Sequence, residues 1–193
     1  WRSNFDRRVF ATADYGAVAA VATRPDGAVR YFLADGSETH GDGKVAEHLV
    51  RVPAVGAQTG WLYRTRHDEQ EAYGLDGRLQ SITQSDGQML TLSYTPEGEL
   101  AEVRDDQGRR LQFTYNQGLL ERVTAPDGAI YGYEYDAHNN LTRVRYPDGT
   151  QRLYRYENPT YPSALTGIFE VGSDAVPVRI ATVTYDGSGR VQR

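Results

Sequence analysis

The sequence contains no cysteine among its 193 residues. Neither disulfide bonds nor thiolate-bound zinc can therefore hold the fold, which must depend on packing and strand pairing. Long apolar runs are missing as well, because stretches such as 17–22 fall far short of the roughly 20 residues that a membrane helix needs. We expect a chain without a membrane span.

An excess of positive charge is also missing. Lys and Arg number 21 against 26 Asp and Glu, for a formal net charge of −5, and the basic residues are scattered singly or in pairs. A nucleic-acid groove needs clustered basic residues, so no nucleic-acid partner is expected. With 39% apolar residues the chain can still build one sizeable β domain or two small ones. Because it opens at Trp1 without a signal segment, we expect a part of a longer protein, and this start leaves its localisation open.

Motifs for catalysis and metal binding are missing too. The four histidines have no zinc-ligand spacing, and no serine elbow or phosphate-binding glycine loop is present. The acidic turn at 105–108 comes nearest to a calcium loop, but it lacks the spaced acidic residues, so turn chemistry explains it better. Carboxylate pairs such as Glu97 and Glu99 give a hydrolase little support, because 26 acidic residues make some pairs inevitable. The sequence predicts no catalytic, metal-binding or cofactor-binding residue, no cofactor, and no enzyme.

What the sequence does contain is a repeat of tyrosines. They stand 21, 21, 20 and 21 residues apart, and a sixth matching unit begins 29 residues after the fifth. The units begin at Tyr73, Tyr94, Tyr115, Tyr135, Tyr156 and Tyr185. A period of this length is typical of a repeat protein in which each unit is one supersecondary element.

Other columns keep the same phase as the tyrosines. A first turn column holds Gly77, Gly98, Gly118, Asn139 and Gly189. Two aliphatic columns follow, with Leu79, Leu100, Leu120, Leu141 and Val191 in one and Ile82, Val103, Val123 and Val144 in the other. A second turn column holds Gly87, Gly108, Gly128 and Gly149. The third unit is one residue short within the turn 116–118, and a hairpin repeat tolerates a deletion there.

Each unit predicts two strands. After the second turn, apolar residues alternate with polar ones, as at Leu90, Leu92 and Tyr94, and this period of two indicates a half-buried strand. Between the turns, the two aliphatic columns lie three residues apart. That spacing indicates either a β-bulge or a short helical turn.

The flanking regions are less regular. Residues 15–33 predict a hairpin around the turn Pro25-Asp26-Gly27. Residues 36–60, rich in glycine, histidine and charge, predict a loop or irregular cover. The stretch 156–183 contains three prolines, and we interpret it as an insertion in the array that ends in a strand at 178–185. The chain is thus divided into an N-terminal segment, 1–72, and a repeat array, 73–193.

With these columns in register, the sequence resembles the Rhs family, whose units are called YD repeats after motifs such as Tyr135-Asp136 and Tyr185-Asp186. The resemblance covers residues 73–193 closely, and residues 1–72 look like the segment that leads into the array in bacterial Rhs proteins. It implies a mainly-β fold, in which repeat-built hairpins form a curved, spiralling antiparallel sheet. That sheet would be a segment of a hollow shell.

The resemblance also implies partners and a setting. In bacterial Rhs polymorphic toxins and insecticidal Tc toxins such a shell encloses a C-terminal toxin domain, and type VI secretion is a common delivery route for Rhs proteins. The implied partners are the rest of the shell, the enclosed toxin domain and the secretion machinery. The implied localisation is bacterial, with synthesis in the cytoplasm and then secretion or delivery to a target cell. Family members that cleave themselves use aspartates beside an Asp-Pro motif, which this chain lacks, so no catalytic residue is carried over.

A second function stays open at this point. Related shells in teneurins act in cell-surface adhesion, and a cluster of tyrosines could stack on sugar rings as a carbohydrate-binding module. The cluster consists of Tyr131, Tyr133, Tyr135, Tyr154 and Tyr156. Half-buried aromatic side chains are favoured in strands for packing, so we rank the scaffold first.

Overall fold

The computed structural model describes residues 3–12, 16–39, 47–52 and 60–192. Over these residues the chain is all-β, with eighteen strands and no helix that could cross a membrane. The strands are β1 Arg8–Ala11, β2 Val18–Thr23, β3 Val29–Leu33, β4 His48–Arg51, β5 Trp61–Arg64, β6 Gln70–Tyr73, β7 Leu79–Thr83, β8 Met89–Tyr94, β9 Leu100–Asp105, β10 Arg110–Asn116, β11 Leu119–Thr124, β12 Ile130–Tyr135, β13 Leu141–Arg145, β14 Gln151–Arg155, β15 Gly167–Val171, β16 Pro177–Thr182, β17 Thr184–Tyr185 and β18 Val191–Gln192.

Three sheets contain these strands. Hydrogen bonds join β4 to β16 in chain order as one 13-stranded antiparallel sheet. Strands β1–β3 form a separate three-stranded sheet, which we call the N-terminal sheet, and β17–β18 form a hairpin. The predicted fold class, a mainly-β array of antiparallel hairpins, is confirmed.

The chain divides into two compact units. Unit 1 comprises residues 1–93 and 103–109, and unit 2 comprises residues 94–102 and 110–193. The boundary predicted after residue 72 stays a prediction.

In unit 1, the predicted N-terminal hairpin is present as β2 and β3. Thr23 pairs with Val29 across the turn, and Gly27 has a φ of +86°, which glycine adopts at no steric cost. The Arg24 carbonyl accepts the Gly27 N–H at 3.0 Å and so closes the turn. Tyr15, where the predicted hairpin begins, lies outside the described residues.

The N-terminal sheet packs on β5–β7. The backbone N–H of Val9 donates to the Gly77 carbonyl at 3.0 Å, and the Phe32 ring meets the Tyr63 ring edge-on with centroids 5.5 Å apart. Val9, Phe32 and Tyr63 are at most 1% exposed. The core of unit 1 therefore lies between two layers of sheet.

In unit 2, the period of two is clearest in β10. Its odd-numbered residues Leu111, Phe113 and Tyr115 are half-buried, whereas the even-numbered residues between them are exposed. A buried cluster in unit 2 is centred on Leu141, Val144 and Tyr154, and half-buried tyrosines pack against it.

A β-bulge interrupts the strand that follows the first turn. In the first repeat, Tyr73 pairs with Leu79 while Ala72 pairs with Ser81. Gln80 is therefore an extra residue that has no pairing partner on β6. One extra residue shifts the phase of the strand, and positions three apart then share a face.

The third and fourth repeats have the same bulge, with Glu121 and Thr142 as the extra residues. In the fourth unit both aliphatic columns are buried as a result, at Leu141 and Val144. The structure thus confirms the bulge and not the helical turn.

The loop predicted over 36–60 is wrong where β4 lies. Leu49 of β4 pairs with Tyr63 of β5 and is only 2% exposed. Four residues with one buried leucine are too short a pattern to stand out among glycines and charges. Residues 40–46 and 53–59 lie outside the described residues.

The stretch interpreted as an insertion, 156–183, contains a hairpin that continues the sheet. Strand β15, which the repeat phase does not predict, pairs with β14, and β16 pairs with β15. The strand predicted at 178–185 is correct for β16 but ends before Val183. Pro177 is tolerated because it begins the outermost strand of the described sheet, where a missing N–H costs no ladder hydrogen bond.

Candidate functional site

The two turn columns occupy tight turns with a left-handed backbone, whereas the first aliphatic column ranges from the buried Leu79 to Val191, which is 65% exposed. The first turn column, Gly77, Gly98, Gly118, Asn139 and Gly189, has φ between 62° and 90° throughout. The second, Gly87, Gly108, Gly128 and Gly149, has φ between 84° and 89°. Glycine adopts this left-handed region at no steric cost, and asparagine is one of the few residues with a side chain that adopt it routinely, which accounts for both columns.

The aspartate of the YD motif satisfies backbone donors in its turn. Asp136 Oδ1 accepts the N–H groups of His138 and Asn140, each at 2.9 Å. Asp186 accepts the corresponding two N–H groups at the same distance. Partial burial would raise the pKa of Asp136, but the hydrogen bonds from Asn140 and His138 outweigh it and lower the pKa. The motif is therefore turn chemistry.

The shortened third unit has a turn of a different type. Strands β10 and β11 are joined by only Gln117 and Gly118, with φ of 51° and 78°. Two consecutive positive φ values are those of a two-residue type I′ hairpin. The deletion is thus absorbed by the turn.

The tyrosines proposed as a stacking surface are occupied in packing. Tyr133, Tyr135 and Tyr156 lie against the cluster centred on Leu141, and the Tyr156 hydroxyl donates to the Leu141 carbonyl at 3.0 Å. The Tyr131 ring contacts the ring of Tyr146 edge-on, with centroids 6.2 Å apart. Such pairs stabilise a sheet face.

Desolvation affects the ionisation of three of these tyrosines. It raises the pKa of Tyr133, Tyr135 and Tyr154. These hydroxyls are therefore neutral phenols at neutral pH, able to donate hydrogen bonds.

An open cleft of about 560 Å³ lies beside the tyrosines in unit 2. It is lined by Tyr133 and Tyr135 together with the polar residues Asn116, Gln117 and Asn139, among others. Aromatic rings next to amide groups are a combination that sugars bind, and the turns of two hairpins, at Gln117 and Asn139, contribute to the lining of this cleft.

A cluster of buried charges lies where the N-terminal sheet meets β6. Arg24 binds the fully buried Glu71 with two nitrogens, at 2.6 and 2.7 Å, and Arg7 also donates to it. Arg7 contacts Glu69 as well, at 2.7 Å, and the Tyr73 hydroxyl donates to Glu71. A buried carboxylate is tolerated only when it is paired and hydrogen-bonded in this way.

The pKa directions agree with this pairing. Burial would raise the pKa of Glu71, but hydrogen bonds and charge from Arg24 and Arg7 outweigh it, and the pKa is lowered. Burial and the charge of Glu71 raise the pKa of Tyr73. Glu71 is thus a carboxylate and Tyr73 a neutral phenol at neutral pH.

Glu47 forms a second acidic position beside this cluster. Its carboxylate accepts the Tyr63 hydroxyl and lies 3.5 Å from Arg30 Nε and 3.7 Å from Arg66 Nε. The Arg24 guanidinium stands 4.5 Å from the centroid of the Tyr63 ring and so links the two positions.

Sequence reasoning did not find these charged residues. One signal in the sequence could have identified Glu71. It stands two residues before Tyr73, and the same position before the later repeat tyrosines holds apolar or aromatic residues. Those residues are Leu92, Phe113, Tyr133 and Tyr154. An acidic residue in a packed column indicates that something basic faces it.

Among the residues that the structure describes, no three His, Asp or Glu side chains are arranged to hold a metal ion. Asp105, weighed above as a calcium ligand, accepts the backbone N–H groups of Gln107 and Arg109, at 3.0 and 2.8 Å. Its other oxygen pairs with Arg109 Nε at 2.6 Å. Asp105 therefore stabilises a turn.

Comparison with known proteins bears on the repeat directly. The RHS Repeat family matches residues 116–151, which include β11 to β13. The Probable deoxyribonuclease RhsB of Dickeya dadantii (strain 3937) is 30% identical over 91 residues, which are 46% of this chain and 6% of that protein. These matches confirm the predicted resemblance to an Rhs/YD-repeat array, and we refer to the chain as the Rhs segment.

Solved structures share the fold of this Rhs segment. The TcdB2-TccC3 crystal structure matches with a TM-score of 0.53 and 17% identity, over 98% of the segment and 12% of that chain. The TcdB2-TccC3-Cdc42 crystal structure matches with a TM-score of 0.53 and 16% identity, over 95% of the segment and 11% of that chain. At this identity the likeness shows the fold alone. The segment spans only a small part of the length of each of these relatives.

Proposed function

We propose that the Rhs segment is part of the wall of a shell that encloses a C-terminal toxin domain and helps to deliver it, without a catalytic role of its own. The observation that carries this proposal is the order of the large sheet, in which β4 to β16 follow one another as they do in the chain. Repeat hairpins bury their apolar columns against neighbouring hairpins, so the sequence favours extension of a wall.

The proposal includes partners and a setting. The partners are the neighbouring hairpins of the array, the enclosed toxin domain and the secretion machinery of a bacterial cell, with type VI secretion as one route. The protein would be made in the cytoplasm and then secreted or delivered to a target cell.

Protease protection in the longer protein tests enclosure. We would compare the wild type with Leu141→Asp, which places a charge at a site only 4% exposed, and with Glu121→Ala on an exposed strand position as the control. We expect the region that follows the array to resist cleavage in the wild type and the control, and to be cleaved rapidly in Leu141→Asp. Equal cleavage of that region in all three proteins would argue against enclosure.

The second candidate function, carbohydrate binding in cell-surface adhesion, is favoured only by the cleft beside Tyr133 and Tyr135. A glycan array would test it with Tyr133→Ala and Tyr154→Ala as controls. Binding that is lost in a folded Tyr133→Ala protein would support adhesion. Absence of binding by the wild type would leave the shell as the better explanation.

A further inference from the structure

The start of the array differs from the later repeats in one packed column, the position two residues before each repeat tyrosine. Glu71, two residues before Tyr73, is 0% exposed and lies on the face that the N-terminal sheet covers. The same position before the next four repeat tyrosines holds Leu92, Phe113, Tyr133 and Tyr154. An isolated carboxylate would be excluded from such a position by its desolvation cost.

The charges that balance Glu71 come from the N-terminal sheet and its flanks. Arg24 follows β2 and grips both carboxylate oxygens, and Arg7 precedes β1. The two arginine side chains are themselves only 13% and 14% exposed. Because both partners are withdrawn from water, neither side tolerates the loss of the other.

The residues after β3 also lie along the outer edge of β4, which is the last strand at one end of the large sheet. Leu49 N–H donates to the Gly36 carbonyl at 3.0 Å, and Ser37 forms a bridge with His48. Gly36 has a φ of +86°, and a Cβ there would stand 2.6 Å from the Leu49 carbonyl oxygen. Only glycine allows this approach. The edge is therefore covered by a specific contact.

We propose that Glu71 is an acidic docking address for the N-terminal sheet, which caps the array by covering the face of its first repeat and the edge of β4. At any later repeat the two arginines would face an apolar or aromatic side chain and be buried without a partner, so docking is selective for the first repeat. A covered edge cannot pair with another strand. This role goes beyond the shell function and does not depend on an enclosed toxin.

Hydrogen exchange by mass spectrometry on the whole segment tests the address. The variant is Glu71→Leu, which restores the residue type of the column. We expect amide exchange in β1–β3 and at Leu49 to rise by about tenfold or more, while exchange in β12–β14 stays unchanged, since the cap opens as a local unit. The matched control is Glu134→Leu.

Glu134 suits this purpose because it too is held by two arginines, Arg143 at 2.9 Å and Arg145 at 2.6 Å, but is 43% exposed. Its substitution is expected to leave exchange in β1–β3 unchanged. If Glu71→Leu leaves β1–β3 as protected as in the wild type, or if protection falls equally in all strands, the docking address is wrong.

Two further variants keep the test decisive where Glu71→Leu does not fold. Arg24→Lys retains the charge but cannot grip both carboxylate oxygens, and a smaller rise of exchange, confined to β1–β3 and Leu49, is expected. Arg24→Met removes the charge and is expected to give a larger rise than Arg24→Lys. Equal exchange in these two variants and the wild type would overturn the proposal.

Light scattering after size-exclusion chromatography tests the covered edge separately. A second copy of the chain can pair with β4 once the cap is released, so Glu71→Leu or Arg24→Met is expected to form dimers at concentrations where the wild type and Glu134→Leu are monomeric. Released β1–β3 without any dimer would refute the edge-covering part of the proposal.

Discussion

Two carboxylates, one in each unit, are held by two arginines apiece, yet their surroundings differ. Glu71 in unit 1 lies under the N-terminal sheet and is 0% exposed, whereas Glu134 in unit 2 is 43% exposed. Water and salt compete with the second pairing and are kept from the first. The pairing of one glutamate with two arginines therefore holds a layer of sheet in place in unit 1, whereas in unit 2 it is a surface ion pair on neighbouring strands.

The aliphatic column shows the same contrast. Leu79 is 0% exposed in unit 1, and its equivalent Leu120 in unit 2 is half-buried. Leu141 of unit 2 stands in the same column and is only 4% exposed, because its own cluster of tyrosines covers it. The repeat thus sets which residue type occupies a position, and the packing around each repeat sets how far that residue is buried.

The two tryptophans provide a probe for this comparison. Trp61 lies in β5 of unit 1 and is 9% exposed, so its fluorescence reports on that unit, and hydrogen exchange can follow unit 2. Trp1 lies outside the described residues, and Trp1→Phe removes its signal.

The largest expected difference is between Glu71→Gln and Glu134→Gln. Removing the charge of Glu71 leaves the buried Arg24 without a carboxylate and Arg7 with Glu69 alone, and should lower the free energy of unfolding of unit 1 by about 3–5 kcal/mol. Glu134→Gln should lower that of unit 2 by about 1 kcal/mol or less. Urea unfolding followed by fluorescence and by exchange measures both. Equal losses would show that burial under the N-terminal sheet adds nothing.

Truncation within the aliphatic column should give the next difference. Leu79→Ala opens a cavity in a two-layer core and should cost roughly 2–5 kcal/mol of unfolding free energy. Leu120→Ala loses less buried area and should cost about 1 kcal/mol. The same urea titrations apply, and a larger loss for Leu120→Ala would reverse the comparison.

Two turn glycines with similar backbone angles separate strain from crowding. Gly128 has a φ of +84°, and no atom lies within 4 Å of the Cβ that Gly128→Ala would add. The substitution should therefore lower the free energy of unfolding only by the left-handed backbone strain, about 1–2 kcal/mol. Gly77→Ala adds a Cβ 1.8 Å from the Val9 carbonyl oxygen, which should cost a further 1–3 kcal/mol or so. Thermal unfolding compares the variants. If the two variants lower the melting temperature equally, β1 moves away from the new Cβ at no cost in stability.

The smallest effect concerns pH. Because the folded pKa of Glu71 is lowered, its stabilising contribution is present above its unfolded pKa, about 4.3, and is lost as the pH falls through the folded value. The stability gap between wild type and Glu71→Gln should therefore be largest at neutral pH and shrink below about pH 4. Fluorescence-detected urea midpoints from pH 7 to pH 3 measure this gap. A gap that does not change with pH would mean that the ionised carboxylate is not what stabilises unit 1.

Much of the array could be predicted because its information is local. The glycines of the turn columns, the alternation in β10 and the spacing of Leu141 and Val144 each reflect φ, strand period or a bulge within one hairpin. Short strands without that pattern, β4 and β15, escaped prediction because their partners alone stabilise them.

A repeat of hairpins is encoded locally, since the period near 21 residues and the positive-φ turns specify backbone conformation over short distances. The second layer at the start of the array arises instead from contacts between residues that are far apart in the chain. Arg7 and Arg24 reach Glu71 across 64 and 47 residues of chain, and no local pattern connects them. Their pairing depends on burial, which exists only once the N-terminal sheet has packed.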